Sequence, residues 1–166
     1  MKNMKMEEKT MAIKMTFDNV HAYCFPTKLL AGNGGEHILN IELTSDADNG
    51  VIVGVGDYKS FDNYVEAEAP AEYKAKIVDI AADGNFYVEV VEPADAVLIC
   101  EVIDNPYTNY DSRFKDDKLF YNAAGEVVRG YCLHKKDIFE LSAEGFEGTP
   151  EVGKDLTFSG RKHVVA

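Results

Sequence analysis

The side chains best suited to chemistry fall into a few short clusters. His21-Ala22-Tyr23-Cys24 and Cys132-Leu133-His134 together supply two imidazoles and two thiols, the ligand set that a tetrahedral zinc ion favours. In the second cluster the Cys-x-His spacing puts both side chains on one face of a strand, where zinc sites more usually show Cys-x-x-Cys. The two pairs are also more than a hundred residues apart. We therefore read them as buried thiols and ordinary polar histidines, and expect neither a metal nor another cofactor.

Asp46-Ala47-Asp48-Asn49-Gly50 resembles the start of a calcium loop. An EF-hand loop needs Gly at its sixth position and Glu at its twelfth; counted from Asp46, Gly50 is fifth and Asp57 twelfth. The register fails, and the segment is read as a turn. Cys132 has a nearby base in His134, but a nucleophilic cysteine also needs a depressed pKa, and Tyr131 and Leu133 beside it offer no charge to provide one. Cys100 sits in an apolar run and is expected in the core. Gly32-Asn33-Gly34-Gly35 lacks the Lys-Ser/Thr of a phosphate-binding loop and leads into a strand, so it too is a turn. The four histidines, His21, His37, His134 and His163, are scattered, and 29 acidic residues select no acid–base pair. No catalytic residue is assigned, and an enzyme is not expected.

The elements that would position these groups are strands. His37-Ile38-Leu39-Asn40-Ile41-Glu42-Leu43 and Val51-Ile52-Val53-Gly54-Val55 flank Asn49-Gly50, a dipeptide that favours type I′ hairpin turns. Residues 37–55 therefore read as one hairpin. Residues 73–80 and 86–91 form a second pair around Ala81-Ala82-Asp83-Gly84-Asn85. The nearly continuous apolar run over 96–103 suggests a strand buried on both faces. Leu119-Phe120-Tyr121, residues 126–133 and Asp137-Ile138-Phe139-Glu140-Leu141 continue the pattern, with at most one helical turn at 142–146. Leu156-Thr157-Phe158 and His163-Val164-Val165 close it as a hairpin around Ser159-Gly160. No segment keeps helical periodicity over ten residues, and short strands punctuated by turns point to an all-β fold. We expect a single antiparallel β-sandwich or barrel with an extended N-terminal arm: residues 1–20 as a flexible arm, 21–166 as the β-rich domain.

All five methionines, Met1, Met4, Met6, Met11 and Met15, lie in the first fifteen residues. One reading is a start codon further along, at Met4, Met6 or Met11. The other is an arm that docks on a partner through soft thioethers; Met11, Ile13, Met15 and Phe17 are then its contact residues. The longest polar stretch, 104–118, is longer than most loops in compact domains, and such loops often make contacts. Tyr107, Tyr110 and Phe114 are its candidate contact residues.

With 166 residues, the chain is the size of one domain. Its 17 Lys and Arg against 29 Asp and Glu give a net charge of −12, which disfavours nucleic acid and anionic membranes as partners. Three widely spaced cysteines do not form a disulfide framework, so reduced thiols in a bacterial-type cytosol are expected. There is neither an apolar run long enough to span a membrane nor the apolar core of a signal peptide.

With the strands laid out, two regions resemble proteins encoded near the major capsid gene in tailed phages and prophages of Gram-positive bacteria. One is Asp48-Asn49-Gly50-Val51-Ile52-Val53. The other is Phe120-Tyr121-Asn122-Ala123-Ala124-Gly125-Glu126-Val127-Val128-Arg129-Gly130-Tyr131-Cys132-Leu133-His134-Lys135-Lys136-Asp137-Ile138-Phe139. Glu144-Gly145-Phe146-Glu147-Gly148-Thr149-Pro150 and Val152-Gly153-Lys154 continue it. The resemblance spans under half of the chain and carries no catalytic residues.

What it implies is a virion structural protein, specifically a capsid decoration or head-stabilising protein. Its partner would be the major capsid protein, and it would be a homo-oligomer, made in the host cytoplasm and located in the virion. The charge then argues for the capsid exterior, away from packaged DNA. The competing expectations are a head–tail connector, tail or other minor virion protein, a small metal-binding or hydrolytic β-barrel using Cys132 and His134, and a carbohydrate- or host-binding module using Tyr107, Tyr110 and Phe114.

Overall fold

The computed structural model describes residues 20–32, 37–60, 63–101 and 120–166. Met11, Ile13, Met15, Phe17, Tyr107, Tyr110 and Phe114 lie outside the described residues. Among the described residues the chain is all-β, with two single turns of 3-10 helix at Leu30–Gly32 and Ala143–Gly145.

The strands are β1 (Cys24–Lys28), β2 (Ile38–Glu42), β3 (Ile52–Ser60), β4 (Asn63–Ala67), β5 (Lys74–Ile80), β6 (Phe86–Glu92), β7 (Val97–Ile99), β8 (Val127–Cys132), β9 (Ile138–Leu141), β10 (Phe146–Glu147), β11 (Asp155–Ser159) and β12 (Lys162–Val165). They form two sheets. A closed five-stranded barrel runs β2-β4-β3-β7-β8, and a seven-stranded sheet runs β1-β9-β6-β5-β11-β12-β10. The expectation of a sandwich or a barrel resolves into a barrel with a second sheet against it. Pairing is mainly antiparallel, but β2 with β4 and β10 with β12 are parallel.

Strand faces explain why several runs look uninterrupted in sequence. In β7, Val97 and Ile99 point into the barrel with Ile41, Val53 and Val128, while Leu98 joins the core between barrel and sheet. In β3, Ile52 faces that outer core and Val53 the barrel interior. A strand buried on both faces needs apolar residues at every position, and all three β7 residues are buried. Room inside the small barrel comes from Gly130. A Cβ there would come within 2.5 Å of Val97 Cγ1 and 3.0 Å of Ile41 Cγ1.

The hairpins expected at β5–β6 and β11–β12 form. The hairpin expected over 37–55 does not. β2 pairs antiparallel with β8 along five residues and parallel with β4, so β4 lies between β2 and β3. The turn differs as well. Gly50 has φ 99° while Asn49 is not in the left-handed region, and Val51 N donates to Asp48 O at 3.3 Å. That pattern is a type II turn, whereas I′ needs positive φ at both central residues. A two-residue I′ turn occurs instead at Gly160-Arg161, with φ 60° and 67° between Ser159 and Lys162, which pair. Among the described residues, Phe120 and Tyr121 belong to no strand, and Asn122 beside them forms an isolated bridge with Ala47.

Candidate functional site

The cysteine–histidine quartet is split by the fold. His21 Nδ1 donates to Asp48 Oδ1 at 2.7 Å, and its ring stacks on Tyr121 at 5.2 Å. Cys24 is buried with Cys100 in the core between the sheets, while Cys132 packs half-buried against the barrel interior cluster. Among the described residues no group of three or more His, Cys, Asp or Glu is placed to hold a metal ion. The calcium-like segment is used as a fastener. Asp46 accepts from Ala124 N (2.8 Å), and Asp48 accepts from Ala22 N (3.1 Å) as well as from His21.

The fold does bring Cys132 and His134 together with a residue that sequence reasoning left isolated. Cys132 N donates to His37 O at 2.9 Å, which sets the start of β2 beside the end of β8. The His37 and His134 rings meet edge to face at 5.1 Å. They line a cleft of about 460 Å³ with Cys132, Asp95, Pro93 and Val55. On one rim, Ala94 and Asp95 both occupy the left-handed region, at φ 45° and 60°. A bond from Ala96 N to Pro93 O (2.8 Å) closes this tight link between the sheet and the barrel.

The electrostatics of this cleft oppose nucleophilic catalysis. Burial, and then the charge of Asp95, push the Cys132 thiol above its ordinary pKa, so at neutral pH it is a thiol and not the reactive thiolate. Asp137 lies 3.6 Å from His134 Nδ1, but its carboxylate already accepts backbone bonds from Leu30 N (3.2 Å) and His134 N (2.7 Å). It serves to cap the turn after β8. His134 Nδ1 is buried with no hydrogen-bond partner among the described residues.

A second cleft, of about 420 Å³, runs between the barrel and the β11–β12 turn. Across it Arg161 forms an ion pair with Glu66 and also donates to the Ser45 side chain. The Glu66 side chain is only 5% exposed and also accepts from Thr44 N (2.9 Å) and Thr44 Oγ1 (2.6 Å). Burial alone would raise the Glu66 pKa. The bonds from Arg161 and Thr44 outweigh it and hold the carboxyl below its usual value.

Three other polar groupings knit the layers. Asn49 exchanges two bonds with the Glu101 backbone (Nδ2 to O 3.1 Å, and Glu101 N to Oδ1 3.0 Å) while its Oδ1 accepts from Asn122 Nδ2 at 2.9 Å. Asn85 Nδ2 donates to both Asp83 and Glu140 at 3.2 Å, and its Oδ1 accepts from Tyr23 OH at 3.0 Å. Burial, and then the neighbouring Asp83, raise the Glu140 pKa. His163 is fully buried, ringed by Phe158 (5.1 Å), Phe139 (5.8 Å), Tyr73 (5.9 Å) and Phe146 (6.1 Å). Burial depresses its pKa to about 4, so the ring is neutral and Nε2–H donates to Gly50 O at 3.1 Å.

No family model, curated protein or solved structure matches this chain.

Proposed function

We propose that this chain is a structural protein of a phage virion, a decoration or head-stabilising protein bound to the outer surface of the capsid shell. The observation that carries this reading is where its polar side chains are engaged. Arg161 with Glu66 ties sheet to barrel, Asn49 ties Glu101 and Asn122 of the β7–β8 connection to one turn, Asp48 holds the chain before β1, and His163 lies in the aromatic core. These residue types are the usual instruments of catalysis, and here each holds one layer to another. Such cross-linking suits a rigid β module whose task is to hold a fixed shape on a larger assembly.

Two sequence features point the same way. The run 120–139, which carries the resemblance to capsid-associated proteins, contains β8 and leads into β9, so it links the barrel to the sheet. The net charge of −12 favours the face of the shell away from packaged DNA, since phosphates repel an acidic protein. Assembly on a symmetric shell implies a cyclic oligomer or a copy number matched to that symmetry.

Quantitative mass spectrometry of purified particles tests this role. The chain is expected in a copy number that follows the major capsid protein. A copy number near that of a portal ring would indicate a connector, and absence from the particles would refute a virion role.

A further inference from the structure

We propose that Cys24 and Cys100 are a disulfide-forming pair, a redox-sensitive staple between the seven-stranded sheet and the barrel. The inference rests on geometry and does not depend on the proposed virion role. Cys24 opens β1, an edge strand of the sheet, and Cys100 directly follows β7 of the barrel. They are 76 residues apart in sequence, yet the Cys100 thiol donates to the Cys24 carbonyl at 3.3 Å. Both belong to the same buried cluster. Burial, and then the neighbouring Cys100 thiol, raise the pKa of Cys24. Gly50 packs beside the pair: a Cβ there would touch Cys24 Cβ at 3.6 Å and would collide with Leu141 Cδ1 at 2.4 Å. Gly50 N is in turn anchored to Ile99 O, next to Cys100, at 2.8 Å. Cys132 is outside the pair, since it packs with the barrel interior cluster.

The chemistry is exchange with a small disulfide such as oxidised glutathione. One protein thiolate attacks a sulfur of the small disulfide, breaking its S–S bond and releasing one small thiol. The second protein thiolate then attacks the protein sulfur of the mixed disulfide and releases the other small thiol. Two electrons pass from the protein pair to the small disulfide, and the two protein protons end on the released thiols. Burial and raised pKa make attack in the native state slow, which keeps the thiols reduced in a reducing cytosol and lets them oxidise when the chain folds or opens in an oxidising medium. The bond would close a long segment of chain and so disfavour the unfolded state.

The test refolds the full chain from denaturant in reduced and oxidised glutathione mixtures, so that burial cannot block access, and counts free thiols by alkylation and intact mass. In oxidising mixtures the expected product has lost two hydrogens and retains one alkylatable thiol of three. Peptide mapping should find Cys24 joined to Cys100, and thermal unfolding should shift upward by several degrees relative to the reduced form. Cys132→Ala should oxidise like the wild-type chain, and Cys100→Ala should form no intramolecular disulfide. Three retained thiols under conditions that oxidise exposed dithiols would overturn the proposal. So would a bond to Cys132, or an oxidised form that melts below the reduced one.

Discussion

Arg161, in the left-handed region at φ 67° on the β11–β12 turn, is ion-paired with Glu66 of barrel strand β4. The pair spans the cleft between the two sheets and joins residues 95 apart in sequence. A non-glycine residue in this conformation costs about 1 kcal/mol or more, so the contact it makes must outweigh that strain.

Replacing Arg161 therefore separates strain from pairing. Arg161→Ala keeps the strained backbone and leaves Glu66 without its cation, and is expected to destabilise by about 2 kcal/mol. Arg161→Gly loses the same pair but relieves the backbone, and should recover about 1 kcal/mol of that loss. Chemical denaturation of both variants measures the difference. Because pairing holds the Glu66 carboxyl below its usual 4.5, its stabilisation is present above that pH and is lost as pH falls through the lower folded value. The deficit of Arg161→Ala should accordingly shrink in acid.

His163 gives a pH dependence at a higher range. Its folded pKa is depressed from 6.5 to about 4, so between those values the unfolded chain binds the proton more readily. Stability is then fully present above about pH 6.5 and falls as pH drops toward 4, by about 3 kcal/mol from this residue. His163→Gln keeps a donor toward Gly50 O but cannot titrate. It should be less stable at neutral pH, and the wild-type advantage should diminish across this window in parallel denaturation curves.

Asn49 is 3% exposed and satisfies both backbone groups of Glu101 as well as Asn122. Asn49→Ala leaves several buried polar groups unpaired and is expected to cost about 2 kcal/mol. Hydrogen exchange should localise the effect, with faster exchange at the Glu101 and Asn122 amides and little change in β5 and β6.

Gly130→Ala tests how tightly the barrel closes. The added methyl would meet Val97 and Ile41 at or inside contact distance, and overpacking of this kind costs about 1–3 kcal/mol. A neutral result in thermal unfolding would mean that the barrel interior has slack.

The legible part of the fold was its local part. β5–β6 and β11–β12 are hairpins, whose partners are neighbours in sequence and whose turns carry Gly84 and Gly160. The pairing of β2 with β8 and β4 left no local mark, because alternation in β2 shows which face is buried and not which strand lies beside it. The same limit hid the site. His37 joins Cys132 and His134 only through the β2–β8 ladder, and Glu66 meets Arg161 only because the sheet folds over the barrel. His163 read as one scattered histidine among four, although its place opposite Phe158 in the final hairpin was a signal that it faces the core.

The most direct measurement of the proposed role is addition of the purified chain to DNA-filled particles that lack it, followed by imaging of the reconstructed heads. A decoration protein is expected to add density on the outer surface, repeated with the symmetry of the shell. Density only on the inner face, or only at the portal vertex, would contradict it.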